Sequence, residues 1–283
     1  MKRNTGFSRP RMPTNPTRAL RRVGVPKRHL SFFILLVWAL AACSPASTAP
    51  VVKIGLVAPF EGRYRAIGYE AIYAARLAIR EINHAGGVNG VRVELIAFDD
   101  GGERDRAIEQ ARKLAIDPQV IAVIGHYRPD ATGAAIDTYC GEPLPLLAVE
   151  SDRSGSCPNV LSLTPPITTS LPSDDPASFI FAATVPHPAD VSDAAAFVDA
   201  YNAIPIDGTR AGPIALQTYD AMRLLFDALA RNIEAGGTPS REGMARALAA
   251  ADFAGLGGLY RFDAEGNRVG AQVYVYQYPQ PTK

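Results

Sequence analysis

Residues 52–87, VKIGLVAPFEGRYRAIGYEAIYAARLAIREINHAGG, contain the pattern that decides the fold class. The apolar run 53–58 ends at Pro59, and both its length and its flank are typical of a buried parallel strand. Apolar residues then recur at helical spacing, at Ile72, Ala75, Ile79 and Ile82. The pair Gly86-Gly87 predicts the end of this helix, because glycine tolerates the left-handed backbone of a helix C-terminus. The stretch therefore predicts a strand, a loop and a covering helix, which is the opening unit of a parallel α/β sheet.

The loop 60–65 between this strand and this helix is the first candidate site. Ligands of parallel α/β sheets bind beyond the carboxyl ends of the strands, and this loop lies at such an end. Tyr64 is the residue of the loop that we expect to stack on a ligand or to cap it.

The alternation of strand and helix repeats along the chain. Further strands are predicted at 91–98, 120–125, 144–149, 160–163 and 178–185, and helices at 104–116, 131–139, 192–203, 213–235 and 238–251. This order predicts an α/β fold with a parallel, doubly wound sheet and right-handed crossovers. Near the C-terminus, residues 259–263 and 271–276 flank a turn at 263–267 and predict a β-hairpin.

The first 42 residues have the pattern of a lipoprotein signal peptide. Residues 1–30 hold nine Lys or Arg and no acid, and the apolar run 31–42 is shorter than the roughly 20 residues that span a bilayer. The sequence LAAC at 40–43 resembles the lipobox of bacterial lipoproteins, which implies that Cys43 is acylated. We expect an exported protein that is lipid-anchored at the extracytoplasmic face of the cell membrane, with 43–50 as a tether. Translation starts at Met1 or at Met12.

Charge and cysteine content restrict the partners. The whole chain carries +1, and subtracting the nine basic residues of the leader leaves −8 for residues 43–283, which argues against a nucleic-acid partner.

Cys140 and Cys157 remain in a disulfide-permissive compartment and either form a disulfide or stay apart. Neither cysteine has the spacing of a metal site.

Several short motifs occur in a fixed order along residues 53–267. They are KIGLVAP at 53–59, EIN at 81–83, AGG at 85–87, DD at 99–100, VIGH at 123–126, TYDA at 218–221 and FDAEGN at 262–267. This ordered set resembles the type I periplasmic solute-binding proteins of the Leu/Ile/Val-binding kind. The resemblance implies a non-enzymatic protein without cofactor, built from two α/β lobes that close on an amino acid or similar small solute and deliver it to an ABC permease.

The chain is shorter than this family requires. Residues 43–283 are roughly a hundred short of two full lobes, and the missing part falls at about 165–177. We therefore predict one nearly complete lobe at 51–254 and a hairpin segment at 255–283 that is a remnant of the second lobe. A single lobe predicts an open cleft and weak affinity for a solute. The alternatives are a degenerate interaction or sensory module that dimerises through the face of the missing lobe, or the decayed product of an internal deletion.

The resemblance also implies where a solute would bind. The family holds the solute carboxylate at the exits of the third and fourth strands, but its key serine position falls here on Pro129, which has neither N–H nor hydroxyl. Asp130 would repel a carboxylate, whereas Arg153 could pair with one. The candidate ligand-binding residues are Tyr64, His126, Tyr127, Arg128, Asp130, Thr132, Glu150, Ser151 and Arg153.

For the remaining polar residues, structural roles are favoured over catalytic or metal-binding ones. His126 is expected to bond to backbone or water rather than to a metal, because no ligand spacing surrounds it. Asp99 and Asp100 are expected to cap a helix and bond to loop backbone rather than to act as acid or base. Asp220 is expected to be a surface charge on the longest helix. The sequence contains no nucleophile elbow, HExxH motif or phosphate loop, so an enzyme is not predicted.

Overall fold

The computed structural model describes residues 49–151, 157–164, 178–205 and 210–279. The leader with Cys43, most of the tether and Arg153 lie outside these ranges, so the predictions made for them stay predictions. Within these ranges, no helix is long and apolar enough to cross a membrane.

The described part of the chain contains six α-helices, nine β-strands and three short 3-10 helices. The strands are β1 (Val51–Ala58), β2 (Arg92–Asp99), β3 (Val120–Ile124), β4 (Leu146–Ala148), β5 (Val160–Ser162), β6 (Ser178–Ala183), β7 (Phe253–Gly255), β8 (Gly258–Tyr260) and β9 (Tyr274–Pro279). The helices are α1 (Arg65–His84), α2 (Arg104–Ala115), α3 (Pro129–Gly141), α4 (Ala195–Asn202), α5 (Pro213–Gly236) and α6 (Arg241–Ala249).

Five parallel strands form the central sheet in the order β2-β1-β3-β4-β5. The register between β1 and β2 runs without interruption from Val51 opposite Arg92 to Ala58 opposite Asp99. The strand order reverses between β1 and β3, which is the position where open α/β sheets form a crevice for ligands. The parallel sheet predicted from the alternation of elements is therefore confirmed.

Both faces of the sheet are covered by helices. On β1, Leu56 packs into the core shared with α1 and α5, whereas its neighbour Val57 packs into the core shared with α2 and α3. Both side chains are fully buried, and burying one such side chain contributes about 1.5–3 kcal/mol. Because successive strand residues point to opposite faces, this alternation requires two helical layers, as the doubly wound prediction states.

Helix α5 is the central helix of one layer and packs along α1. It begins at Pro213, where a missing N–H costs nothing, and Gly237 with φ +74° follows its end. The Glu70 carboxylate of α1 accepts the N–H of Ala215 at 2.9 Å in the first turn of α5. An acid at a helix N-terminus is favourable to the helix dipole, so this contact stabilises the pairing of α1 with α5.

The C-terminal hairpin predicted at 259–263 and 271–276 is wrong in its strand pairing. Phe262 and Arg268 do form an antiparallel bridge around the predicted turn. However, β8 pairs with β7, and β9 pairs with β6 in a separate antiparallel ribbon. The outer edge of β5 is occupied by residues 266–268, since Ser162 exchanges backbone hydrogen bonds with Gly266 and Arg268. This occupied edge explains why β6 lies outside the central sheet.

Asp220 is fully buried, so the prediction of a surface charge is also wrong. Its carboxylate accepts the N–H groups of Leu256 at 2.9 Å and Gly257 at 2.7 Å and the hydroxyl of Tyr260 at 3.1 Å. Burial raises the pKa of this carboxyl group despite these three donors. Asp220 thus attaches the segment 253–260 to α5.

A disulfide joins Cys140, at the end of α3, to Cys157, just before β5. Their Cα atoms are 5.6 Å apart, which is the usual separation in a disulfide. Of the two alternatives that the sequence leaves open, the structure contains the bonded one.

Candidate functional site

The exits of four parallel strands meet at the carboxyl edge of the sheet. These exits are residues 59–64 after β1, 99–103 after β2, 125–130 after β3 and 149–151 after β4. Because the strands are parallel and adjacent, their exits lie along one edge, and all the predicted ligand-binding residues except Arg153, which lies outside the described ranges, are carried there.

Asp99 joins the first two exits. Its Oδ1 accepts the N–H groups of Phe60 at 2.7 Å, Glu61 at 3.3 Å and Gly101 at 2.9 Å. Burial raises the pKa of Asp99, but these N–H groups and the adjacent Arg106 outweigh it, and the pKa lies below its ordinary value. Asp99 is therefore a loop-bonding carboxylate, as predicted, although the N-cap of α2 is Glu103 rather than either aspartate.

His126 is fully buried beneath the edge. Its Nδ1 lies 2.6 Å from Asp100 Oδ2, and its Nε2 lies 3.3 Å from the Tyr139 hydroxyl. The expectation that backbone or water would bind this ring is therefore wrong, because two side chains do. Among the described residues, no group of His, Cys, Asp and Glu could hold a metal ion. Asp100 follows β2 and His126 follows β3, and these two strands flank β1 in the sheet. Their positions at neighbouring strand ends were the sequence signal for this pairing.

Tyr127 and Thr132 are also fully buried. The Tyr127 hydroxyl lies 2.7 Å from Thr218 Oγ1 on α5. The Thr132 hydroxyl donates to the carbonyl oxygens of Glu150 at 2.5 Å and Arg128 at 3.1 Å. These two candidates hold the exits of β3 and β4 in place and are covered by protein in this structure.

Tyr64, Arg128 and Glu150 form the polar cluster at the edge. The Arg128 guanidinium carbon lies 4.5 Å from the centre of the Tyr64 ring, which is cation–π geometry. Arg128 Nη1 lies 3.8 Å from Glu150 Oε2, within ion-pair range and beyond hydrogen-bond distance. We call these three residues the exit cluster.

Glu150 is the carboxylic acid of the exit cluster, and its pKa is raised. Its Oε1 accepts the N–H of Ala182 at 3.0 Å, whereas its buried Oε2 has no hydrogen-bond partner among the described residues. Burial raises its pKa from 4.5 to about 7, although Arg128 and the Ala182 N–H oppose the rise. An orphan acceptor beside an arginine is a position where a ligand's donor group would be stabilised.

The first turn of α3 is poorly suited to an anion. Pro129 opens the helix and lacks an N–H, and the exposed carboxylate of Asp130 follows it. A helix N-terminus normally attracts anions through its free N–H groups, but here an acid already occupies that field. Ser151, the last described residue of the β4 exit, is buried.

Comparison with known proteins places these features in a family. The family model described as periplasmic binding protein matches residues 51–170 and 160–282. An amino acid binding protein of Pseudomonas aeruginosa is 33% identical over 105 residues, covering 37% of this chain and 28% of the relative. The leucine-, isoleucine-, valine-, threonine-, and alanine-binding protein of the same organism is 35% identical over 96 residues, covering 34% and 26%. The chain thus matches about a quarter of the length of these relatives.

Solved structures share the fold. The branched-chain amino acid transporter substrate binding protein LivJ from Streptococcus pneumoniae, in complex with isoleucine, superposes with a TM-score of 0.66 at 19% identity, covering 80% of this chain and 95% of that one. The leucine binding protein LivK from Thermotoga maritima gives a TM-score of 0.62 at 16% identity, covering 79% and 94%. The resemblance seen in the sequence motifs is therefore confirmed, and the chain belongs to the periplasmic binding protein family.

Proposed function

We propose that this chain is the solute-binding component of an amino-acid uptake system of the branched-chain ABC type. Its family supports this proposal, since members bind solutes and are not enzymes. The names of the matched relatives, which include leucine, isoleucine and valine among their ligands, support it further.

The single observation that carries the proposal is the spacing of Arg128 and Glu150. The two charges lie 3.8 Å apart, so neither saturates the other's hydrogen bonds. A zwitterionic amino acid is complementary to such a pair: its carboxylate would bind the guanidinium, and its ammonium group would donate to the orphan Oε2 of Glu150. Tyr64 would cap the solute, and Ser151 would supply a hydroxyl from the β4 exit.

The finer parts of the proposal concern placement. We propose that the chain is exported, that Cys43 carries the lipid anchor, and that the solute is passed to an ABC permease. The basic leader, the apolar run 31–42 and the lipobox pattern support the first two parts. If the chain forms the single lobe predicted from its length, affinity is expected to be weak, because closure of a second lobe over the solute would be missing.

Isothermal calorimetry of the full chain with a panel of amino acids tests the proposal. We expect saturable binding of at least one branched-chain amino acid and a loss of about tenfold or more in Arg128→Gln and in Glu150→Gln. Arg104→Gln is the matched control, since this exposed arginine begins α2 and is not part of the exit cluster. Absence of heat and of thermal stabilisation with every member of the panel would refute the proposal.

A second function, as an interaction module, is favoured by one specific observation. Four large apolar side chains of the C-terminal segment are exposed: Leu259 by 41%, Val269 by 53%, Val273 by 37% and Val275 by 52%. Such a surface suits a second copy of the chain or another protein. Light scattering tests this alternative: a dimer that Val275→Asp dissociates would support it, and a strict monomer with amino-acid binding intact would exclude it.

A further inference from the structure

A pocket of about 290 Å³ lies between the residue after β6 and the C-terminal segment. Its walls include Thr184, Gly258, Leu259, Arg268, Val269 and Tyr274. We call it the Arg268 pocket. It shares no lining residue with the exit cluster, and its lining contains two arginines and no acid.

Arg268 is the buried cation of this pocket, with only 4% of its surface exposed. Its Nε donates to the Leu259 carbonyl at 2.9 Å, and its Nη1 donates to the Thr184 carbonyl at 3.0 Å and hydroxyl at 2.7 Å. The guanidinium carbon lies 3.6 Å from the centre of the Tyr260 ring. These contacts hold the guanidinium plane in one orientation.

The Nη2 group of Arg268 is the nitrogen that these hydrogen bonds to Leu259 and Thr184 do not use. The guanidinium has one further side-chain partner, the hydroxyl of Tyr260. An ideal Cβ on Gly258, which has φ +125°, would lie 3.3 Å from this nitrogen. The glycine therefore keeps the approach to Nη2 open, where any larger residue would crowd it.

The positive charge of Arg268 also lacks a counter-ion. No carboxylate within the described ranges lies in ion-pair distance of it. Asp220 instead accepts from the hydroxyl of Tyr260, over whose ring Arg268 stacks. The other arginine of the lining, Arg261, pairs with Asp252 through two hydrogen bonds of 2.7 and 2.9 Å. A buried guanidinium without a paired anion is costly, and an anion bound at Nη2 would offset that cost.

The rim of the pocket adds donors and apolar surface. Residues 270–272 line it, and their backbone N–H groups have no hydrogen-bond partner among the described residues. Leu259, Val269 and Tyr274 supply apolar wall beside them. This combination fits an oxyanion that carries a short apolar group, because the donors take the charge and the wall takes the chain.

We propose that the Arg268 pocket binds a small organic carboxylate, as a second ligand site separate from the exit cluster. The carboxylate accepts from Nη2 of Arg268 and from the N–H groups of the rim. Its short apolar chain lies against Leu259 and Val269. A volume near 290 Å³ has room for a carboxylate with a short apolar chain, and we expect a ligand with so few heavy atoms to bind at about millimolar concentration.

Butyrate and its neutral analogue butyramide are the probes, titrated against the full chain at constant ionic strength. We expect a saturable rise in Tm with butyrate and none with butyramide, because only the carboxylate pairs with the guanidinium. Val269→Trp is the main variant: Val269 is 53% exposed, so tryptophan fills the pocket mouth without touching the hydrogen bonds of Arg268. It should weaken butyrate binding about tenfold or more.

Val273→Trp is the matched control, since Val273 is exposed on the same segment and is absent from the pocket lining. It should bind butyrate as the unmodified chain does, and so should Arg128→Gln in the exit cluster. A loss of butyrate binding in Arg128→Gln, or its retention in Val269→Trp, would overturn the assignment to this pocket. Inorganic phosphate is the third probe, and stabilisation by phosphate equal to that by butyrate would overturn the preference for a carboxylate.

Discussion

Replacing Glu150 with glutamine is expected to stabilise the protein at pH 8 and to leave its stability nearly unchanged at pH 5. Burial raises the pKa of this carboxyl group from 4.5 to about 7, so the folded chain retains a proton that the unfolded chain releases between these values. The free energy of unfolding therefore falls as pH rises through this window. Glutamine keeps the oxygen that accepts the Ala182 N–H and never ionises.

The size of the effect follows from the shift. Each pKa unit corresponds to about 1.4 kcal/mol, so ionised Glu150 costs the folded state about 3 kcal/mol above pH 7. For a domain of this length, about 1 kcal/mol moves Tm by 2–4 °C. Glu150→Gln should therefore raise Tm by about 6–12 °C at pH 8.

Thermal unfolding followed by circular dichroism at pH 5, 6, 7 and 8 measures this difference. Glu94→Gln is the matched control, because Glu94 is exposed on β2 and should show no pH-dependent difference from the unmodified chain. A Tm difference for Glu150→Gln that stays constant from pH 5 to pH 8 would refute the reasoning, since it would mean that Glu150 does not titrate in this range.

Three further substitutions test other contacts by denaturant unfolding. Cys140→Ser should lower the free energy of unfolding by about 3 kcal/mol, because its bond to Cys157 closes a loop with a sequence separation of 17; equal stability under non-reducing conditions would contradict this. Asp220→Ala should cost about 3 kcal/mol and expose the C-terminal segment to protease, because three donors lose their acceptor; an unchanged cleavage pattern would count against that role. Tyr127→Phe should cost about 1 kcal/mol through loss of the bond to Thr218, and a neutral result would mean that this bond contributes nothing.

The central sheet could be predicted because its signals are local. The run 53–58 is apolar on both faces, and the helix after it has a periodic apolar face, so neither depends on distant residues. Alternation of such units leaves one common topology, which the strand order confirms. The family motifs indicate the order of the elements but not how the strands pair at the C-terminus.

The C-terminal pairing could not be predicted because it depends on which edge is free. Residues 259–263 and 271–276 satisfy the local pattern of a hairpin, yet β9 pairs with β6 almost a hundred residues earlier in the chain. The burial of Asp220 could not be predicted for the same reason. A charged residue on a helix is expected to be exposed, and only the folded structure shows that the N–H groups of Leu256 and Gly257 bind this carboxylate.

For the candidate site, the sequence predicted the edge but not the depth of each residue. The exits of β3 and β4 were identified from the strand ends alone. Whether a side chain there points outward or inward depends on helix packing: α5 supplies Thr218 to Tyr127, and α3 supplies Tyr139 to His126. Within the exit cluster, Arg128 and Tyr64 remain partly exposed, whereas Glu150 is buried behind them.

The energetic cost of Glu150 bears on the proposed function. Glutamine would preserve the Ala182 bond without the cost of a buried charge. The carboxylate of Glu150 therefore adds no stability to the fold that an amide would not also give. A role for the negative charge outside the fold, as acceptor for a solute's ammonium group next to Arg128, accounts for that cost. The same substitution should therefore raise stability and lower amino-acid affinity, and a Glu150→Gln protein that gained in both would contradict the solute-binding role of this residue.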